Sequence, residues 1–184
     1  GEINPSGKLP FTMPVKLEDS PAHALNTYPG YSLTVNYREG ILVGYRWFDA
    51  KRIEPLYCFG HGLSYARFNY DSIQTDRHVY GENDAIRLSL AVKNTGDRAG
   101  SEIVQVYARD VEASLLRPDR ELKGFKKVFL EPGEEKTVKI GLAVHDLAFF
   151  DDRSMAWVIE PGEFEIMVGA SSRDIRGIAV LKVL

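Results

Sequence analysis

From about residue 65 onward, apolar residues recur at every second position in short runs, and the runs are separated by turn-forming residues. That period restricts the segment to strands with one buried face. Ile86, Leu88, Leu90 and Val92 form one apolar face, with Arg87, Ser89 and Lys93 opposite. A run over 103–109 places Val104 and Val106 on one face and Gln105 on the other. Further strands are expected over 66–73 and 122–130, at Val138, Ile140 and Leu142, at Phe164, Ile166 and Val168, and over 178–183. Asn94-Thr95-Gly96-Asp97 supplies one turn. Glu131-Pro132-Gly133-Glu134 and Glu160-Pro161-Gly162-Glu163 each place Pro before Gly, the order a type II turn requires. Seven strands in about 120 residues fit one immunoglobulin-like β-sandwich. Helix is expected at most as a single turn over 145–149.

Residues 1–64 behave differently. Pro5, Pro10, Pro14, Pro21, Pro29 and Pro55 interrupt any helix longer than two turns. Only 39–48 looks like a strand, with Ile41, Val43 and Tyr45 alternating around Leu42 and Gly44. A stretch with so little regular pattern does not bury a core of its own, so it is expected to pack against a surface outside this chain. The start, Gly1-Glu2-Ile3-Asn4-Pro5, has no initiator Met and no signal-peptide pattern, and reads as an internal cut in a longer protein or a processed chain.

Composition narrows the function classes. A hydrophobic content of 44% is that of a globular protein rather than a disordered one. A net charge of -3 argues against nucleic acid or anionic lipid as a partner. Lys123, Lys126 and Lys127 read as a solvated strand face. No apolar run approaches the roughly 20 residues of a membrane-spanning helix. Cys58 is single, which rules out an intrachain disulfide and a thiolate cluster, and it reads as a small buried hydrophobe. His23, His61, His78 and His145 show no metal-ligand spacing. No cofactor and no metal site are expected.

Several residues nevertheless invite a role. Arg46 has the planar fork that pairs with a carboxylate across a domain boundary. His61, between Gly60 and Gly62, is expected to fix the path of a linker through backbone hydrogen bonds. Tyr45 and Trp47 are candidates for the rim of a sugar site, since aromatic faces stack on pyranose rings; the favoured alternative has Tyr45, Trp47 and Phe48 wedging the connecting segment between domains. Asp119, Arg120 and Glu121 suit an ion-pair network or a domain contact. Asp151-Asp152 reads as a solvated turn, and Trp157 as core or sheet surface.

Three stretches then resemble the family 3 glycoside hydrolases: Asn4-Pro5-Ser6-Gly7-Lys8-Leu9-Pro10, the run from Tyr37 to Asp49, and Pro55-Leu56-Tyr57-Cys58-Phe59-Gly60-His61-Gly62-Leu63-Ser64-Tyr65. Arg117-Pro118 with Arg120-Glu121-Leu122-Lys123-Gly124-Phe125, and Leu130 to Glu134, are similar to later stretches of the same family. The resemblance implies a mainly β chain. Residues 1–64 would be the tail of an α/β-sandwich domain plus an interdomain linker, and residues 65–184 a fibronectin type III-like β-sandwich. It also implies a parent enzyme that removes terminal β-linked glucose with retention, using two carboxyl groups about 5 Å apart. In the family both lie upstream of the matched stretches, so this chain is expected to hold no catalytic residue and to be inactive alone. Its partners would be the missing N-terminal catalytic domains and, through them, a β-glucoside or oligosaccharide. The family favours a periplasmic or extracellular location. The rival readings are a stand-alone carbohydrate-binding module and a structural sandwich without a ligand.

Overall fold

The computed structural model describes residues 2–184. The expected alternation becomes a two-sheet sandwich. One sheet has the order β1 (Phe68–Thr75), β3 (Ala85–Asn94), β6 (Glu135–Ala143). The other has the order β2 (Val79–Tyr80), β10 (Ile175–Val183), β9 (Gly162–Gly169), β4 (Gly100–Asp110), β5 (Glu121–Leu130). The ladders are antiparallel except β2 on β10. The core is the inner face of each sheet: Ile86, Leu88, Leu90 and Val92 of β3 meet Val104 and Val106 of β4 and Phe164, Ile166 and Val168 of β9. Burying such side chains contributes roughly 1.5–3 kcal/mol each relative to exposure, which makes this layer the main source of stability. A separate hairpin, β7 (Phe149–Asp151) with β8 (Ala156–Val158), belongs to neither sandwich sheet. A single 3-10 turn spans Val144–Leu147, close to where the one helical turn is expected.

Two local expectations are corrected. Gly133 has φ 76°, and the Glu134 N–H donates to the Glu131 carbonyl at 3.0 Å, closing the first Pro-Gly turn as expected. The second does not form. Gly162 opens β9 opposite Val183, because the β9–β10 ladder reaches back and takes it into the sheet. The strand expected over 39–48 is replaced by turns and by helix α2 (Tyr45–Ala50), which follows a short α1 (Pro21–Ala24). Gly44, at φ 56°, makes the entry to α2. Adjacent Trp47, Phe48 and Asp49 are all buried there, a pattern that a strand with one covered face does not produce.

The first third packs partly on the sandwich. Asn4 donates from Nδ2 to the Ala99 carbonyl at 2.9 Å, and its Oδ1 accepts from the Tyr65 N–H at 2.9 Å. The Leu9 N–H donates to the His61 carbonyl and the Gly60 N–H to the Leu9 carbonyl, both at 2.8 Å. Two stretches distant in sequence, 4–10 and 57–65, therefore run side by side. Trp47 and Phe48 form a second, smaller apolar cluster with Leu42, Leu25 and Ile53. Tyr28, Tyr31, Leu33, Val35, Tyr37, Ile41 and Val43 remain exposed.

Candidate functional site

Strand alternation places Gln105 and Tyr107 on the outer face of the five-stranded sheet, where solvent is the default. Both are nevertheless buried, because residues 45–60 lie over them. Tyr107 Oη donates to Gln105 Oε1 at 2.6 Å, and Gln105 Nε2 donates to the Ala170 carbonyl at 2.8 Å and the Gly60 carbonyl at 3.3 Å. The Tyr45 ring meets Phe59 at 4.9 Å and stands edge-on to Tyr107 at 6.0 Å, while its hydroxyl accepts from the Leu122 N–H at 2.9 Å. Gly60 has φ 80°, and a β-carbon there would run into the Gln105 amide, so a larger residue at this point is strained and displaces that amide.

Charge fastens the same junction. Asp49, with its side chain 4% exposed, receives Arg173 Nε at 2.8 Å on Oδ1. Arg120 Nε lies 3.2 Å from Oδ2, an ionic contact without hydrogen-bond alignment. Burial pushes the Asp49 carboxyl above its ordinary value, and the two guanidinium groups offset only part of that. Arg173 also donates to the Ile53 carbonyl at 3.1 Å, so the loop after β9 grips the linker twice at the C-terminal end of helix α2.

A second cluster lies at the other end of α2. Arg46 Nη2 is 3.3 Å from Glu121 Oε1, which supplies the carboxylate partner expected of its fork. Arg117 contacts the other oxygen of Glu121 at 2.9 Å, Asp110 at 3.1 Å and the Leu147 carbonyl at 2.8 Å, tying the loop before β5 to the sheet. Burial raises the Glu121 carboxyl, but Lys123, Arg117 and Arg46 together more than reverse this and hold it below the ordinary range. Burial in turn depresses the Lys123 ammonium, with Glu121 opposing. The expectation that Arg120 and Glu121 serve a network or domain contact thus has a defined geometry: both face the linker.

The remaining candidates are placed as follows. Trp47 is 4% exposed, its indole N–H donates to the Asp19 carbonyl at 3.0 Å, and Lys51 sits 5.2 Å from its ring. The Trp47 ring is thus covered within this chain. The backbone of His61 makes the linker hydrogen bonds, while its ring lies on Tyr57 at 4.9 Å. Cys58 is half-buried, with Sγ 3.4 Å from Ser171 Oγ. Asp151 caps its own turn through Ser154 and Arg153. Trp157 is exposed on the β7–β8 hairpin. Among the described residues no group of acidic, His or Cys side chains has the arrangement of a metal site, and no helix is long and apolar enough to cross a membrane. Asp49, Gln105, Tyr107 and Arg173 have no sequence signal of their own; a helical reading of 45–50 would have put Arg46 and Asp49 three residues apart on neighbouring positions.

The fibronectin type III-like domain family matches residues 102–172. The chain is 51% identical over 179 residues to a β-glucosidase of Bacteroides ovatus, covering 96% of this chain and 24% of that protein. It is 53% identical over 175 residues to the thermostable β-glucosidase B of Acetivibrio thermocellus, covering 95% and 23%. This chain matches the C-terminal region of family 3 glycoside hydrolases. Solved structures agree. A family 3 β-glucosidase of Bifidobacterium adolescentis superposes with TM-score 0.92 at 39% identity, over 100% of this chain and 26% of that one. The glucose complex of the Kluyveromyces marxianus β-glucosidase gives TM-score 0.93 at 42% identity, over 100% and 22%. The chain spans about a quarter of the length of the relatives it matches. It carries a mainly β fold.

Proposed function

We propose that the chain is the C-terminal portion of a retaining, exo-acting β-glucosidase, in which residues 1–64 complete an α/β-sandwich domain and lead out of it, and residues 65–184 form the supporting sandwich. The observation that carries this reading is the match over nearly the whole chain to β-glucosidases about four times its length. The linker junction supplies the physical role. Helix α2 is fastened at Arg46 and at Asp49, and the wedge of Tyr45 seals the sheet beneath it. A linker held at two charged points transmits the position of the sandwich to the domain from which it emerges. His61 and Arg46 act as linker residues, and the substrate, a terminal β-glucoside, is handled by the upstream domains. The stand-alone binding module is less well supported, because the linker covers the outer face of the five-stranded sheet over Gln105 and Tyr107.

The test is hydrolysis of 4-nitrophenyl β-D-glucoside by the polypeptide that joins the upstream domains to this chain, with the anomer of the first-released glucose followed by NMR. The reading expects turnover and β-glucose as the first product. No turnover of any aryl β-glycoside would overturn it, and release of α-glucose would overturn the retaining assignment.

A further inference from the structure

Glu102 continues the inward-facing row of Val104 and Val106 on β4, where a core side chain is expected, and it is only 5% exposed. Lys8 Nζ lies 2.9 Å from its Oε1, and the Ile103 N–H donates to the same oxygen at 2.7 Å. Oε2 has no hydrogen bond or ion pair among the described residues, and the Lys8 ammonium has no partner there besides Oε1. Both side chains line a cavity of about 450 Å³, bounded by residues 5–8 and 61–64, the starts of β1 and β4, and the loop between β9 and β10. Anchoring residues 5–8 to the sheet accounts for Oε1 only. A buried carboxylate oxygen is costly without a hydrogen bond, so Oε2 calls for a donor from outside the chain. The Arg67 guanidinium and the His61 ring line the same cavity and likewise make no hydrogen bond among the described residues. Arg176 and Asp174 also line it, but they satisfy each other through two contacts, at 2.8 and 3.1 Å.

We propose that this cavity binds a small neutral polyol, a compound with hydroxyls on adjacent carbons such as a single pyranose. The inference does not depend on the activity proposed above. The unused capacity on the wall selects the ligand. Oε2 of Glu102 is an acceptor and Lys8 a donor, side by side and charged, while a hydroxyl can both donate and accept. One hydroxyl donates to Oε2 and its neighbour accepts from Lys8, two charge-assisted hydrogen bonds that leave the ion pair intact. Arg67 donates to a further hydroxyl, and Phe68 offers the carbon face of the ring an apolar contact. Ligands with other charges fit less well. An anion meets Glu102 and a cation meets Lys8, and a zwitterion has to separate two charges 2.9 Å apart. An apolar ligand strips water from both charges and returns no hydrogen bond. The volume lies within the range of roughly 300–1,000 Å³ that small-molecule pockets occupy.

The experiment is a titration with D-glucose followed by NMR of 13C-labelled alanine methyls, in this chain and in the polypeptide joining it to the upstream domains. Ala66 and Ala170 line the cavity and should shift to saturation in both proteins, while Ala108 in the core should not move. Because the reporters sit in the cavity, glucose bound elsewhere in the longer protein does not affect them. Shifts that grow without saturating would overturn the inference and leave the cavity to water. Shifts that saturate in the chain but are lost in the longer protein would overturn it too, since the cavity is then covered. So would saturation by sodium phosphate or glycine in place of glucose. Glu102→Gln keeps the shape but replaces a charged acceptor by a neutral one, and should weaken binding about tenfold. Arg67→Ala removes an exposed side chain without a partner in the chain, and should weaken binding several-fold with the Tm unchanged. Glucose binding that is unaffected in either variant that folds would overturn the inference.

Discussion

Asp49 on helix α2 lies 2.8 Å from the Nε of Arg173 in the loop between β9 and β10, so the end of the linker and the far end of the sandwich meet in one buried ion pair. Removing the carboxylate leaves the Arg173 and Arg120 guanidinium groups facing each other across the gap. Asp49→Ala should cost about 2–4 kcal/mol, below the full penalty for a buried pair because both arginines keep some solvent contact. Urea unfolding at neutral pH reads this directly; a change under about 0.5 kcal/mol would remove Asp49 from the account.

Glu121 contributes to the acid limb of stability. Its folded carboxyl is held below the ordinary 4.5, so its contribution is present above that value and lost as pH falls through the lower folded one. Asp49 has the opposite sign: with its carboxyl raised, its contribution is full below the ordinary 3.8 and declines as pH rises through the raised value. Glu121→Gln should therefore be less stable than wild type at neutral pH and flatter against pH below about 4.5. Thermal unfolding from neutral pH into that range compares the two slopes, and parallel curves would assign the acid limb elsewhere.

Gly60 and Gly44 both have positive φ, but only Gly60 lies against a side chain. Gly44→Ala should cost about 1 kcal/mol from backbone strain alone. Gly60→Ala should cost more, about 2–4 kcal/mol, because the Gln105 amide must also move and break its hydrogen bond to the Gly60 carbonyl. Equal losses in the two variants would mean that the contact over Gln105 yields freely.

Trp47 is the largest side chain in the linker's own cluster. Trp47→Ala should cost about 3–5 kcal/mol in that cluster, and it should expose residues 1–64 to protease while leaving the sandwich strands resistant. Limited proteolysis with mass spectrometry separates the two regions. Simultaneous cleavage in both would show that linker and sandwich unfold as one unit.

The sandwich was legible because β3 buries one face only, and Ile86 to Val92 advertise it in the sequence. Val79–Tyr80 and the β7–β8 hairpin were not, since two or three residues are too few to show a period. The alternation of Ile41, Val43 and Tyr45 points to a strand over 39–48, while the burial that makes 45–50 a helix involves Leu25, about twenty residues earlier, and Ile53. Gln105 and Tyr107 illustrate the same limit. Alternation assigns them correctly to the outer face, but what covers that face is set by a linker about fifty residues earlier in the chain. Arg46 was identifiable by its chemistry, and its partner Glu121 emerged only from the fold.

The most direct test of the central claim is the β-glucosidase activity of this chain purified alone and assayed at high concentration with 4-nitrophenyl β-D-glucoside. The account predicts no release of nitrophenol above the protein-free rate, because the two carboxyl groups of the reaction belong to the upstream domains. Turnover that co-purifies with the chain and is abolished by substituting one of its own carboxylates would contradict it.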